Sequence, residues 1–164
     1  MCLMIKLFGI ILILGASVGV SAYIIAVEKG KIRRTEVFIR LIDDIFCEIR
    51  YTREPILEIL KRLAVVEHIE GLPQYVKEKD SFNGEELARV ICQKNIDLPA
   101  SQMVGEFFKR VGEGDLYTEQ ENYERCRDEL LLQTEKMREK YQKMQKLWSA
   151  IPLCCGICVV LIIL

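Results

Sequence analysis

A single histidine, His68, serves the whole 164-residue chain. With no second histidine and no cluster of Cys or Asp around it, a zinc site has no ligand set. A Ser-His-Asp or Cys-His arrangement would also have to use His68, and no nucleophile motif surrounds any serine or cysteine. No glycine-rich loop ending in Lys-Ser or Lys-Thr is present, so nucleotide hydrolysis by that route is excluded. Clean apolar/polar alternation over four or more residues is missing, and with it a strand pattern. The charge balance is near zero: 23 Lys and Arg against 24 Asp and Glu. That gives no electrostatic case for nucleic acid. The seven cysteines, at 2, 47, 92, 126, 154, 155 and 158, are odd in number and suggest no disulfide framework. Cys47, Cys92 and Cys126 read as small hydrophobes in helical sequence, reduced in a cytosolic setting. Cys155 and Cys158 have redox spacing but lie in an apolar run, where the thiolate that exchange requires is disfavoured.

Two stretches lack charge altogether. Leu7–Val27 and Trp148–Leu164 contain no Asp, Glu, Lys or Arg. As a helix at about 1.5 Å per residue, the first would cover roughly the thickness of a bilayer core. A cleaved signal peptide is the competing reading, because Ala16, Ser17, Gly19 and Ser21–Ala22 resemble a cleavage site. Apolar residues continue past them to Val27, which favours a retained anchor. Gly15, Ser17, Gly19, Ser21 and Ala22 would let this helix pack closely against another membrane helix. Between the two stretches sit all 24 acids and 22 of the 23 basic residues. Lys29, Lys31, Arg33 and Arg34 follow the first stretch, and Lys136, Arg138, Lys140, Lys143 and Lys146 precede the second. By the positive-inside rule the middle is cytosolic and both termini lie across the membrane. The same basic residues would meet anionic lipid. The expected domains are 1–27, a head and transmembrane helix; 28–147, a cytoplasmic helical domain; and 148–164, a second transmembrane helix.

The middle reads as all-α. Val37, Phe38, Leu41, Ile42, Ile45, Phe46 and Ile49 give Thr35–Tyr51 one broad apolar face. Pro55 suits the first turn of a helix whose stripe is Ile56, Ile59, Leu60 and Leu63. A break at Gly71-Leu72-Pro73 leads into a short helix to about Lys79. Asn83 is the expected N-cap of the next helix, with Glu85 and Glu86 in its first turn and Leu87, Val90 and Ile91 inward. Ser101 is the expected cap of a helix that ends at Gly112-Glu113-Gly114-Asp115, two glycines suited to a C-terminal cap and tight loop. Thr118-Glu119-Gln120-Glu121 matches a capping box, and no Pro or Gly follows until Pro152. Tyr123, Cys126, Leu130, Gln133, Met137, Tyr141, Met144 and Trp148 then recur every three or four residues, the mark of one long helix. The acid pairs Asp43-Asp44, Glu85-Glu86 and Glu119/Glu121 read as solvated faces and helix starts. The expected fold is all-α, an antiparallel bundle of five or six helices between an N-terminal and a C-terminal transmembrane helix.

Local blocks carry a family resemblance. Glu48-Ile49-Arg50-Tyr51 followed by Pro55-Ile56-Leu57-Glu58-Ile59-Leu60 resembles the "E-I-x-Y … P-L-x-E-A-L" block of the stage III sporulation protein AB family. Phe107 to Asp115 resembles its "L-G-x-x-L-G-x-S-D" block in shortened form, with Gln120 and the long charged helix after it. Lys143-Met144-Gln145-Lys146-Leu147-Trp148 then leads into the apolar terminus, where Ser149-Ala150-Ile151-Pro152 stands in place of the family's Ser-Leu-Gly.

The resemblance implies a membrane platform or adaptor subunit of the secretion-like channel complex between mother cell and forespore, required for endospore formation. It implies a location in the mother-cell-derived outer forespore membrane. Its helical domain would be similar to the F-type platform proteins of type II secretion. The implied partners are the companion ATPase, the stage III sporulation AA protein, and other membrane proteins of the same operon. A homo-oligomer is left open, and no enzyme activity and no cofactor are expected. The candidate partner contacts are Arg53 and Glu54 at one turn and Gly112, Gly114 and Asp115 at another, chosen because exposed turns are where partners reach. The alternative is a membrane-anchored helical regulator or sensor that binds a ligand or signalling protein. A redox or intramembrane enzyme using Cys155 and Cys158 is third.

Overall fold

The structure is a computed structural model. It describes the backbone of residues 2–52, 54–66, 69–112 and 114–163, with side chains described in these segments except at 2–7, 10, 12–14, 17 and 148–163. His68 and Arg53 lie outside the described residues. The described residues form six helices and no strand: α1 (Cys2–Thr52), α2 (Ile56–Val66), α3 (Leu72–Glu78), α4 (Gly84–Lys94), α5 (Ala100–Arg110) and α6 (Leu116–Ile163). The chain divides into two compact units, residues 1–30 with 136–164, and residues 31–135.

The expected first span and the helix from Thr35 are parts of one helix, α1. The intervening Glu28–Arg34 contains no proline, and its Lys and Arg are good helix formers. Its one glycine, Gly30, costs only about 1 kcal/mol and does not break the helix. The expected long C-terminal helix is likewise continuous, as α6. Among the described residues no helix is long and apolar enough to cross a membrane. The side chains of 148–164, and several of 7–27, fall outside the described set.

The core of residues 31–135 is built on the apolar stripe of α1. Phe38, Leu41, Ile42 and Ile45 recur at helical spacing and are almost wholly removed from water. α2 contributes Leu57, Ile59, Leu60, Leu63 and Ala64. α6 contributes a stripe at 119, 122, 126, 130 and 134. Three of those five are polar (Glu119, Asn122 and Thr134), and each has a backbone partner. Tyr123 of α6 stacks on Phe46 of α1 with centroids 4.1 Å apart and donates its hydroxyl to Asp43 at 2.8 Å. Arg127 donates to the same Asp43 oxygen at 3.2 Å. Asp43 is therefore a tie between α1 and α6 rather than a freely solvated acid. Burial, reinforced by the Asp43 bond, pushes the Tyr123 phenol up to about 12.

Local chemistry sets the remaining ends. Asn83 caps α4 as expected, accepting from the Glu86 backbone N–H at 3.0 Å. The Tyr75 hydroxyl accepts from the Asn83 N–H at 2.8 Å and donates to the Asn83 carbonyl at 3.0 Å, closing the turn between α3 and α4. Ser101 is not the cap of α5. The helix begins one residue earlier, Pro99 holds the cap position, and the buried Ser101 hydroxyl donates to Leu98 carbonyl at 2.7 Å. Proline's preset φ starts the helix without a side-chain cap. Arg34 of α1 grips Asp97 in the α4–α5 turn, which holds that carboxyl below its usual range.

α4 and α5 pack closely because Gly84 has no side chain. A Cβ built there would stand 2.1 Å from the Phe108 carbonyl oxygen, against rigid backbone. Gly84→Ala is expected to destabilise residues 31–135 by about 1–3 kcal/mol, the usual cost of overpacking. Gly30→Ala, with nothing within 4 Å of the new methyl, is expected to be neutral or stabilising by up to about 1 kcal/mol. Thermal melts of the two variants in detergent, followed by far-ultraviolet circular dichroism, check both.

Candidate partner-docking site

The α1–α2 turn and the α5–α6 turn meet at one groove. Its volume is about 510 Å³, and it is lined by Ile49, Glu54, Pro55, Ile56, Gly112, Gly114, Asp115, Leu116 and Glu119. Four of the five candidate contacts, Glu54, Gly112, Gly114 and Asp115, thus line a single surface although about sixty residues separate the two turns. Arg53 is outside the described residues.

Each turn follows from its residues. α1 stops at Thr52, whose hydroxyl folds back to the Glu48 carbonyl at 2.8 Å and also accepts weakly from Glu54 N–H at 3.4 Å. Pro55 then begins α2, its carbonyl accepting from Glu58 and Ile59. α5 ends with Val111 N–H donating to Phe107 carbonyl, after which Gly112 takes the left-handed conformation, φ 86°. That is the glycine stop expected at a helix C-terminus.

The start of α6 differs from the capping box expected at Thr118–Glu121. Asp115 is the cap: its Oδ1 accepts from the Thr118 backbone N–H at 2.9 Å and from the Thr118 hydroxyl at 2.7 Å. Those two bonds hold the Asp115 carboxyl below its ordinary value. Glu119 is buried instead of solvated. Its Oε1 turns back across the loop and accepts from Gly112 N–H at 2.7 Å and Gly114 N–H at 3.4 Å. The helix start and the loop compete for the same acids, and the shorter aspartate wins the cap. The signal for this in the sequence is the i, i+4 spacing of Asp115 and Glu119. It sets one carboxylate at the cap and the other a turn above, on the inward stripe with Asn122 and Cys126.

The groove joins apolar surface to carboxylates. Ile49, Pro55, Ile56 and Leu116 supply apolar surface, and Glu54, Asp115 and Glu119 supply carboxylates. Among the described lining residues there is no amine, imidazole, thiol or hydroxyl side chain. The neighbouring cation, Arg62, is already engaged by Glu48 at 2.7 Å and Glu54 at 3.1 Å. Among the described residues no group of His, Cys, Asp or Glu is arranged to hold a metal ion. The described thiols stand apart: Cys47 is exposed, Cys92 half-buried and Cys126 buried, and burial pushes Cys126 up to about 12.

The model of the stage III sporulation protein AB family matches residues 6–164, nearly the whole chain. The chain belongs to that family. Membership gives this stage III sporulation AB family member a role in stage III of sporulation. Nothing among curated proteins matches the chain, and nothing among solved structures does. In this family member both turns of the groove fall inside the matched region.

Two substitutions separate the roles of the groove acids. Glu119→Ala leaves the Gly112 and Gly114 N–H groups without their partner and is expected to cost about 1–3 kcal/mol. Asp115→Asn keeps a good capping side chain and removes only the charge. Because the folded Asp115 pKa lies below 3.8, the stability it adds is present above the unfolded value and is lost as pH falls through the folded one. The melting temperature of Asp115→Asn is therefore expected to lie below that of the natural chain at pH 7, with the gap closing as pH falls through the lowered folded value. Melts across pH 2–7 measure it.

Proposed function

We propose that the chain is a membrane platform or adaptor subunit of the sporulation secretion-like channel between mother cell and forespore. In this reading Leu7–Val27 and Trp148–Leu164 are membrane spans in the outer forespore membrane. Residues 28–147 form the cytoplasmic domain. The groove between the α1–α2 and α5–α6 turns docks a cytoplasmic ATPase, the stage III sporulation AA protein, while the spans meet other membrane proteins of the same operon.

The observation that carries the docking reading is the groove: turns distant in sequence converge on it, and it joins apolar surface to carboxylates. Family membership supports the sporulation setting. The spans are supported by two uncharged stretches flanked on their inner sides by basic residues. The size of the groove also favours a second reading, because about 300–1,000 Å³ is the range of small-ligand sites. On that reading the chain is a membrane-anchored sensor.

Crosslinking of the natural full-length chain in detergent-solubilised sporulating cells tests the proposal. The expected result is recovery of the AA ATPase with crosslinks to residues 28–147. Recovery of the folded, inserted chain without that ATPase would favour the sensor reading. A cysteine placed at Lys29 or Lys140 is expected to be shielded from membrane-impermeant maleimide in intact mother cells and labelled after permeabilisation.

A further inference from the structure

The docking reading leaves open what kind of segment enters the groove. We infer that it takes a basic segment of a protein partner, an Arg or Lys side chain beside an apolar residue. This rests on the docking reading for its site, though not on the partner's identity.

The argument starts with the loop amides. A loop with a left-handed glycine before a helix start often offers backbone N–H groups to phosphate or carboxylate. Here Gly112 and Gly114 donate to Glu119 of the chain itself. The Thr118 N–H in the first turn of α6 is likewise taken by Asp115. An incoming anion would meet donors already engaged and three carboxylates facing the same space. It would be repelled rather than held.

A cation meets the reverse. Glu54 and Asp115 stand on opposite turns of the groove, and among the described residues no Lys or Arg lines it. Glu54 shares Arg62 with Glu48, so Arg62 stays paired if Glu54 turns to a second cation. The apolar share of the lining, Ile56 and Leu116 above all, gives an aliphatic neighbour a place to bury. A guanidinium suits such a site because its planar fork can bridge carboxylates while its stem lies along apolar surface. Leu116 is half exposed and the following Tyr117 largely so. This is the partly wet, partly apolar rim expected of a protein contact.

The test uses the full-length chain in sporulating cells with a photo-crosslinking amino acid in place of Leu116, alone and combined with Glu54→Gln and Asp115→Asn. Both substitutions keep shape and hydrogen-bonding capacity. Mass spectrometry of the captured peptide should show Lys or Arg within two residues of a large apolar side chain. Removing both charges should lower the crosslink yield about fivefold, the sum of two modest exposed ion pairs. Raising salt should lower the yield of the natural groove and leave that of the neutralised one unchanged. Capture of an acidic or uncharged peptide, of lipid or of a second copy's apolar span would overturn the inference. So would absence of any crosslink from position 116, or a yield indifferent to the two substitutions. The two readings fail separately. If the AA ATPase is captured from other positions in 28–147 but not from 116, platform docking stands and the basic-segment groove falls. If a different protein is captured at 116 through a basic segment, the groove stands and docking of that ATPase falls.

Discussion

Four core positions of α1, Phe38, Leu41, Ile42 and Ile45, are almost entirely withdrawn from water, and each contributes about 1.5–3 kcal/mol by that burial. What surrounds them depends on that stripe being covered. α2 adds Ile59 and Leu60 to the same buried cluster, and α6 adds Leu130 and Cys126. The Asp43 carboxylate, held by Tyr123 and Arg127, fixes how far α6 slides along α1. That register carries Leu116 and Glu119 to the level of Ile49 and Ile56, which is why two turns far apart in sequence share a groove. Packing of a few aliphatic side chains thus sets the geometry of a surface several turns away.

Much of this was legible in the residues, because the helices announce themselves by period and punctuation. Apolar residues three and four apart marked the inward faces of α1, α2 and α6. Pro55, Pro73 and Asn83 marked helix starts through what they do to the backbone locally. The two glycines at 112 and 114 marked the loop. The less legible features depend on competition between groups. Whether Asp115 or Thr118 caps α6 turns on which side chain reaches the first free N–H, and whether Glu119 faces water depends on the loop offering two amides inside. Asp43 reads as half of a surface pair until Tyr123, eighty residues on, is folded against it. The continuity of α1 through Glu28–Arg34 was concealed by the change from apolar to charged residues, which alters solvation without altering helical preference.

The family assignment sets the chain in stage III of sporulation, and its structure joins a packed helical middle to a groove of mixed apolar and acidic character. Its buried polar groups are satisfied within the described residues, with no buried side-chain nitrogen or oxygen left without a partner. Here the large shifts sit on Tyr123 and Cys126, and burial accounts for both.

The Glu119 bridge across the α5–α6 loop has one more consequence. By occupying the amides of Gly112 and Gly114 with an internal carboxylate, the chain withholds both donors from phosphate. If a motor docks here, as proposed, these two amides are not free to read its nucleotide. On that proposal a shift in the docked segment would reach the first turn of α6 through the Glu119 bonds to Gly112 and Gly114.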